Sequence, residues 1–487
     1  MEILLITTPF LPLNSFEIKQ LPLHKQERTS VSPPLGVCYL SSYLRQRGYR
    51  VSILDLDLEI FTLIKRGISY TILDIIRLIK DKGFFDIIGI SALTSERYKR
   101  AHQLAAIADS LDATVIMGGN YPTNSPEMAL SDPNVNYIVM GEGEEIFYKL
   151  LRAIEEDVGL EELTGIGYED MIRPRVYSDF IQDLDTLPFP DYGNIDVERY
   201  HDLGMSQSWI GNNKSFTLFT SRGCPNHCIY CCSHNTFGYK TRYRSVDNVL
   251  SEVNWLVDKY GADEILIQDD NFTKDKKRAC EILDRLKIRW AIPNGLEVNS
   301  LDREILEKAK ASGVQDLTLA IETGSPRIQK LIKKNVNLDK AKEIIGIMRE
   351  LRIYSKVFYM LGFPGETKEE IQQTIDYASK LKADWSIFSI VNSLPGTELA
   401  KKVKPDFDNI GYANANISTE DFNAEYIEKK VGEANIKINF IENYNLNGGN
   451  IDYAIRDFQR IAQRYPQHTI ARESLRRALF EKSLCNR

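Results

Sequence analysis

The sequence predicts an α/β chain: a doubly wound, Rossmann-like sheet domain, then a partial (β/α)6 barrel of TIM type, then a small helical C-terminal domain. Two observations predict it. Short apolar runs bounded by turn residues alternate with helical patterns through the first third of the chain, and a second such series starts near Ser215. From about residue 406 the strand-like runs stop and helical periodicity takes over. The expected boundaries are 1–155 for the sheet domain, 156–211 for a connector, 212–405 for the barrel and 406–487 for a helical cap.

The elements follow in order. Ile3 to Thr8 reads as a strand. Gly36 to Arg47 reads as a helix, with Leu35, Tyr39, Leu40, Tyr43 and Leu44 at helical spacing. Gly48 closes it, because glycine tolerates the left-handed cap. Tyr49 to Leu54 is the next strand, and Asp86 to Ser91 a third, apolar on both faces. Arg97 to Leu111 is helical, and Thr114 to Met117 and Tyr137 to Met140 complete a parallel set. Ligands in such sheets sit beyond the carboxyl ends of the strands. Those ends carry Thr8-Pro9, Ser91-Ala92-Leu93-Thr94, Gly118-Gly119-Asn120 and Gly141-Glu142-Gly143-Glu144. A tight turn explains any one of these glycines as well as a ligand does. Several small-residue ends in one sheet favour a site where a large, flat cofactor approaches backbone.

The proline-punctuated stretch Leu184 to Tyr192 reads as part of the connector. Barrel strands are expected at Phe216 to Thr220, Glu264 to Gln268, Trp290 to Pro293, Asp316 to Ile321, Ser355 to Leu361 and Trp385 to Val391. Helices such as Val246 to Tyr260 and Leu338 to Leu351 separate them, and an active site is expected at the C-terminal strand ends. In the tail, Ala454, Phe458 and Ile461 share a helical face, and Pro466 ends that helix before another begins. The pair resembles one tetratricopeptide unit, but a single pair is too short for an array, so a cap packed on the barrel is expected.

Composition excludes little. The 61 basic and 68 acidic residues leave a formal charge of -7, which gives no nucleic-acid footprint. The start lacks a basic n-region, and no apolar run reaches the roughly 18 residues a membrane span needs. A cytoplasmic protein without a membrane span is expected. In that setting a tight cysteine cluster reads as metal-binding or catalytic.

The cluster is Ser221-Arg222-Gly223-Cys224-Pro225-Asn226-His227-Cys228-Ile229-Tyr230-Cys231, a C-x3-C-x2-C spacing on the loop after the first barrel strand. Thiolates from so tight a loop can hold a four-iron cubane, and three cysteines leave one iron open to a substrate-like ligand. The alternative is structural zinc on the same cysteines, with His227, His234 or Cys232 as fourth ligand. Zinc knuckles pair ligand loops from separated segments, and no second Cys/His pair stands elsewhere. Cys232 is left outside the cluster because adjacent residues point differently. Asp269-Asp270 after the second barrel strand could cap a helix or hold a metal, and Gly362-Phe363-Pro364-Gly365 could be only a turn.

The cysteine motif, with aromatic Tyr230 before its last cysteine, resembles that of the radical S-adenosylmethionine superfamily. Asp269-Asp270-Asn271-Phe272, Ile321-Glu322-Thr323-Gly324-Ser325, Gly362 to Thr367, Pro395-Gly396-Thr397-Glu398-Leu399, Pro33-Pro34-Leu35-Gly36 and Gly141 to Glu144 are similar to the cobalamin-binding subclass. That subclass includes class B radical methyltransferases and the anaerobic magnesium-protoporphyrin ester cyclase family. The resemblance spans about residues 1 to 465.

The resemblance implies a [4Fe-4S] cluster on Cys224, Cys228 and Cys231 that cleaves S-adenosylmethionine. It implies that Asp269 and Asp270 contact the methionine amino group, that Glu322 and Thr323 lie near the ribose, and that Tyr230 and Phe363 flank the adenine. Ser91, Thr94, Gly118, Gly119, Gly141 and Glu142 would cradle cobalamin. The Asp-x-His-x-x-Gly motif is missing and none of the six histidines (24, 102, 201, 227, 234, 468) stands in its context, which implies base-off cobalamin without a histidine lower ligand. Glu297 stands where many relatives carry arginine. The implied activity is C-methylation of a small molecule at an unactivated carbon, with an external one-electron reductant of flavodoxin or ferredoxin type. Cyclisation, oxidation or rearrangement without methyl transfer is the alternative. A cobalamin- or cluster-binding redox sensor is the alternative of another class.

Overall fold

In the first sheet, β1 (Glu2–Thr7), β2 (Arg50–Leu54), β3 (Ile87–Ser91), β4 (Thr114–Gly118) and β5 (Tyr137–Val139) run parallel in the order β2-β1-β3-β4-β5. Helices such as Leu35–Arg45 and Tyr98–Asp109 connect them, and Gly143–Glu156 follows β5. Ile3 to Ile6 in β1 and Ile87, Ile88 and Ile90 in β3 are at most 2% exposed, as expected for strands covered on both faces. This is a computed structural model, and it describes residues 1–18, 31–204, 214–411 and 414–485. His24, the connector stretch 205–211 and the first two residues of the expected barrel lie outside the described residues.

The expected parallel sheet needs one correction. Two further strands, β6 (Ile166–Tyr168) and β7 (Met171–Arg173), extend it antiparallel beyond β5. They lie in the stretch assigned to the connector. Each is three residues long, too short for a periodic signal, and the turn between them places Glu169 at φ 50.

The chain forms two compact units: one of Met1–Pro225, Cys231–Asp270 and Leu394–Gly396, the other of Asn226–Tyr230, Asn271–Ser393 and Thr397–Arg487. The first unit holds the sheet, the parallel pair β8 (Ser215–Leu218) with β11 (Glu264–Ile267), and a two-stranded antiparallel ribbon. The ribbon joins β9 (Ser221–Arg222) to β10 (Arg242–Tyr243). The helix Val246–Tyr260 falls where the sequence places it, with Ser245 capping its start and Gly261 its left-handed end.

The second unit continues the βα repeats. β12 (Arg289–Ala291) is bridged at Trp290 to Val314. β13 (Asp316–Glu322), β14 (Tyr354–Leu361) and β15 (Trp385–Ile390) form a parallel sheet with β15 at its edge. An edge strand leaves backbone donors and acceptors unpaired. Here the tail supplies the partners. Asn439 accepts from the Ser386 N–H at 2.8 Å and donates to its carbonyl at 2.6 Å. Asn435 does the same for Phe388, at 3.1 and 2.9 Å. The two amides lie four residues apart, on the helix Ala424–Ile436 and the π-helical turn Lys437–Ile441, and so project along one face. The helices Ile451–Arg464 and Thr469–Cys485 follow, within the expected helical tail. Among the described residues no helix is long and apolar enough to cross a membrane.

Candidate active site

The ribbon leads directly into the cysteine loop. Gly223 sits at φ 94, where a Cβ would lie 2.5 Å from the Lys240 carbonyl, so only glycine fits before Cys224. The Cys224 N–H donates to the Gly238 carbonyl, and the Ser233 N–H to the Cys231 sulfur at 3.5 Å. In the second unit, the Ile229 N–H donates to the Ile332 carbonyl, and the Ile229 carbonyl accepts from Leu399. Cys228 therefore rests beside the segment Ile332–Lys334. Burial raises its thiol pKa, an effect opposed by the nearby Lys334 ammonium. All three cysteines lie outside any disulfide and have intermediate exposure, as does Cys232. Among the described residues no three His, Cys, Asp or Glu side chains are grouped as ligands of a single metal ion. Three unbridged, partly exposed thiols within eight residues are a donor set that fits an iron–sulfur cluster.

Asp269 and Asp270 do not cap a helix: the next one, Lys276–Arg285, is capped by Asp275. Asp269 is 1% exposed and accepts from the Thr220 N–H at 2.6 Å, the Thr220 hydroxyl at 2.5 Å and the Ser221 hydroxyl at 2.6 Å. It pins the end of β8 to the start of the ribbon. Asp270 is partly open and accepts from Ser233 at 2.6 Å. Burial raises both carboxyls, opposed at Asp269 by its hydroxyl and amide donors and at Asp270 by Ser233.

In the second unit, Tyr230 and Phe363 meet with ring centroids 5.8 Å apart. Phe363 is buried on a loop turned by Gly362 and Gly365, both at positive φ. The Glu366 carboxylate holds that loop by accepting from the Gly362 and Phe363 N–H groups at 2.8 and 3.1 Å, and its other oxygen is buried without a partner. Burial raises Glu366 to about 7. Glu322 ends β13 at φ 71, beside a register shift, and pairs with Lys334 at 3.3 Å. A non-glycine residue held there marks a strained strand end. Thr323 is fully buried against Thr374 at 3.0 Å. Glu297 accepts from Asn271 at 2.6 Å and Asn226 at 3.4 Å, while the Asn271 carbonyl oxygen is buried and unpartnered. The carboxylate at the position where arginine was expected thus holds two amides.

At the sheet, Gly119 has φ 107, and a Cβ there would lie 2.6 Å from the Ala92 carbonyl. Gly118, just before Gly119, ends β4 and is paired with Ser91 of β3. Gly141, at φ 82, donates its N–H to Thr123. The hydroxyls of Thr8 and Thr94, beyond β1 and β3, are buried without partners. Gly119 packs onto the Ala92 backbone and Gly141 onto the Arg175 side chain, and these close-packed strand ends with two orphaned hydroxyls fit the rim of a large polar cofactor such as cobalamin. His102 is spent: one ring nitrogen lies 2.6 Å from Asp132 and the other 2.8 Å from the Tyr121 hydroxyl. Glu142 is spent too, with both oxygens held by Arg242 at 2.8 and 2.5 Å and a third bond from the Ile181 N–H. Sequence reasoning missed Arg222, Arg242, Glu144, Lys334 and Glu366. Arg222, Glu144 and Glu366 lie inside motifs already singled out, whereas Arg242 and Lys334 carry no local signal.

Comparison with known proteins agrees with this arrangement. Residues 218–378 match the model of the radical SAM superfamily, and residues 25–151 match the B12 binding domain. The chain is 31% identical over 415 residues to the cytidylyl-2-hydroxyethylphosphonate methyltransferase of Streptomyces wedmorensis, covering 76% of this chain and 77% of that one. It is 25% identical over 404 residues to the anaerobic magnesium-protoporphyrin IX monomethyl ester cyclase of Cereibacter sphaeroides, covering 80% of this chain and 63% of that one. The fold matches the cobalamin-dependent S-adenosylmethionine radical enzyme OxsB with aqua-cobalamin and S-adenosylmethionine bound, at TM-score 0.68, 17% identity, 97% of this chain and 71% of that one. A cysteine loop after the first strand of one βα series, a glycine-lined edge on the other, and this family match across three quarters of both chains lead to one conclusion: the protein belongs to the cobalamin-dependent radical S-adenosylmethionine enzymes, the family of these methyltransferases.

Proposed function

We propose that this enzyme transfers a methyl group to an unactivated carbon of a small molecule. The observation that supports this above others is the glycine-lined sheet edge with its two orphaned hydroxyls, Thr8 and Thr94, in a chain that also carries the three-thiol loop. When bound, the cluster supplies an electron to S-adenosylmethionine and the corrinoid carries the methyl group. The rest falls to the chain. Cys224, Cys228 and Cys231 ligate the cluster. The Tyr230–Phe363 ring pair offers the adenine an apolar wall and excludes water. The partly open Asp270 and the buried Asn271 oxygen accept from the methionine ammonium, while Asp269 holds the strand end behind them. Glu322, oriented by Lys334, takes a ribose hydroxyl, with Thr323 behind it. Ser91, Thr94, Gly118, Gly119 and Gly141 would border the corrinoid, held base-off and without a histidine lower ligand, since His102 is engaged by Asp132 and Tyr121. Glu142 supports that border from behind. The functional division is 1–155 for corrinoid, 156–211 as connector, 212–405 for S-adenosylmethionine and 406–487 as cap. A flavodoxin- or ferredoxin-type protein delivers the electrons, in the cytoplasm.

Anaerobic turnover tests this. With reductant and substrate, methylation yields 5′-deoxyadenosine and S-adenosylhomocysteine together. The similarity to the cyclase supports a second reading, ring closure without methyl transfer, which yields 5′-deoxyadenosine alone. Absence of both nucleosides refutes either. Iron near four and cobalt near one per chain in anaerobically purified protein is the expected cofactor content.

A further inference from the structure

Arg222 and Arg242 stand directly opposite each other on the ribbon that leads into Cys224. Like charges facing across a two-stranded ladder push the strands apart. Both are buried, at 5% exposure, so water does little to screen them. The compensation comes from the strand end of the sheet. Glu144 accepts from Arg222 at 2.6 Å, and Glu142 receives both terminal nitrogens of Arg242 and lies 3.8 Å from Arg222. Both glutamates are buried as well. Each buried guanidinium thus faces a buried carboxylate within hydrogen-bond reach. Arg242 also donates to the carbonyls of Phe237 and Ile181, and Cys224 is bonded to Gly238, the residue after Phe237. The quartet thus joins Gly141-Glu142-Gly143-Glu144, beyond β5, to the backbone on either side of the first cysteine. It lies wholly within the first unit.

We propose that Glu142 and Glu144 are positioning residues for the cysteine loop, and that through Arg222 and Arg242 they couple occupancy of the sheet-edge site to the hold on the cluster. The proposal rests on the assignment of a cluster to Cys224 and of a corrinoid to the Gly141 edge. Coupling of this kind is reciprocal. Corrinoid bound against Gly141 stiffens the glutamates and slows cluster loss, and an assembled cluster tightens corrinoid binding.

The test follows iron release to a chelator from the reconstituted wild-type protein, with and without hydroxocobalamin. Hydroxocobalamin slows release from the wild type. Glu144→Gln leaves Arg222 buried without its partner, and release accelerates by about tenfold to a hundredfold, the range for lost supporting contacts around metal ligands. The paired variant Arg222→Leu/Glu144→Leu keeps the buried charge balanced and so keeps the fold by circular dichroism. It loses the protection by hydroxocobalamin. Unchanged release in Glu144→Gln, or full hydroxocobalamin protection in the folded paired variant, overturns the proposal. A wild type that holds neither cluster nor hydroxocobalamin overturns the proposed function instead, which is a different result.

Discussion

Replacing Asn439 by alanine should open the edge of the second unit's sheet, and the size of the effect can be worked out. Asn439 is 2% exposed, and its amide is the partner of both the N–H and the carbonyl of Ser386. Alanine leaves those two backbone groups buried and unpaired. Each such group costs about 1–3 kcal/mol, so the local loss is about 3 kcal/mol once some water enters. At about 1.4 kcal/mol per factor of ten, protection of the edge strand falls by about a hundredfold. Hydrogen exchange followed by mass spectrometry on a peptide spanning β15 reads this directly, because exchange reports local opening. Asn435→Ala should give a similar loss centred on Phe388. Asn439→Asp should also lose protection, since it sets a carboxylate against the Ser386 carbonyl. Unchanged exchange across Trp385–Ile390 in Asn439→Ala would refute the view that the tail stands in for a missing strand.

Three further outcomes are expected. Glu366 has its carboxyl raised to about 7 by burial, so the stabilisation it gives is complete below the unfolded value of about 4.3 and is lost as the pH rises to about 7. The stability of wild type relative to Glu366→Gln, from urea midpoints, should fall across that window and then level off; a difference independent of pH refutes the assignment. Gly119→Ala places a Cβ against the Ala92 carbonyl at a φ that disfavours side chains. It should weaken hydroxocobalamin binding by about tenfold or more while iron content stays at the wild-type level, and equal binding spectra would refute the sheet-edge site. Alanine at Cys224, Cys228 or Cys231 should abolish iron binding after anaerobic reconstitution, whereas Cys232→Ala should retain it; iron loss in Cys232→Ala would make it a ligand.

The parts legible in the sequence are those with a local signal. The helix Val246–Tyr260 lies where its periodicity puts it, and strands such as β13 and β14 are each one residue longer than expected. The three cysteines are visible because their spacing is itself the chemistry. The β6–β7 hairpin was hidden because strands of three residues carry no period. The asparagine bracket was hidden for another reason. Asn435 and Asn439 look like solvated helix positions until β15 is found beside them, 47 and 53 residues away in sequence.

Glu142 shows the same limit at the site itself. A carboxylate between two glycines at a strand end has the local form of a ligand contact, and its actual partner Arg242 lies 100 residues further along the chain. Four buried charges are an expensive way to join two loops, since each ion gives up several kcal/mol of hydration. A well-packed apolar cluster would hold them at least as firmly. What an apolar cluster lacks is direction: bidentate arginine–carboxylate pairs fix angle as well as distance. A loop that must present its first thiol in one orientation gains from that, and a loop that needed only stability would not.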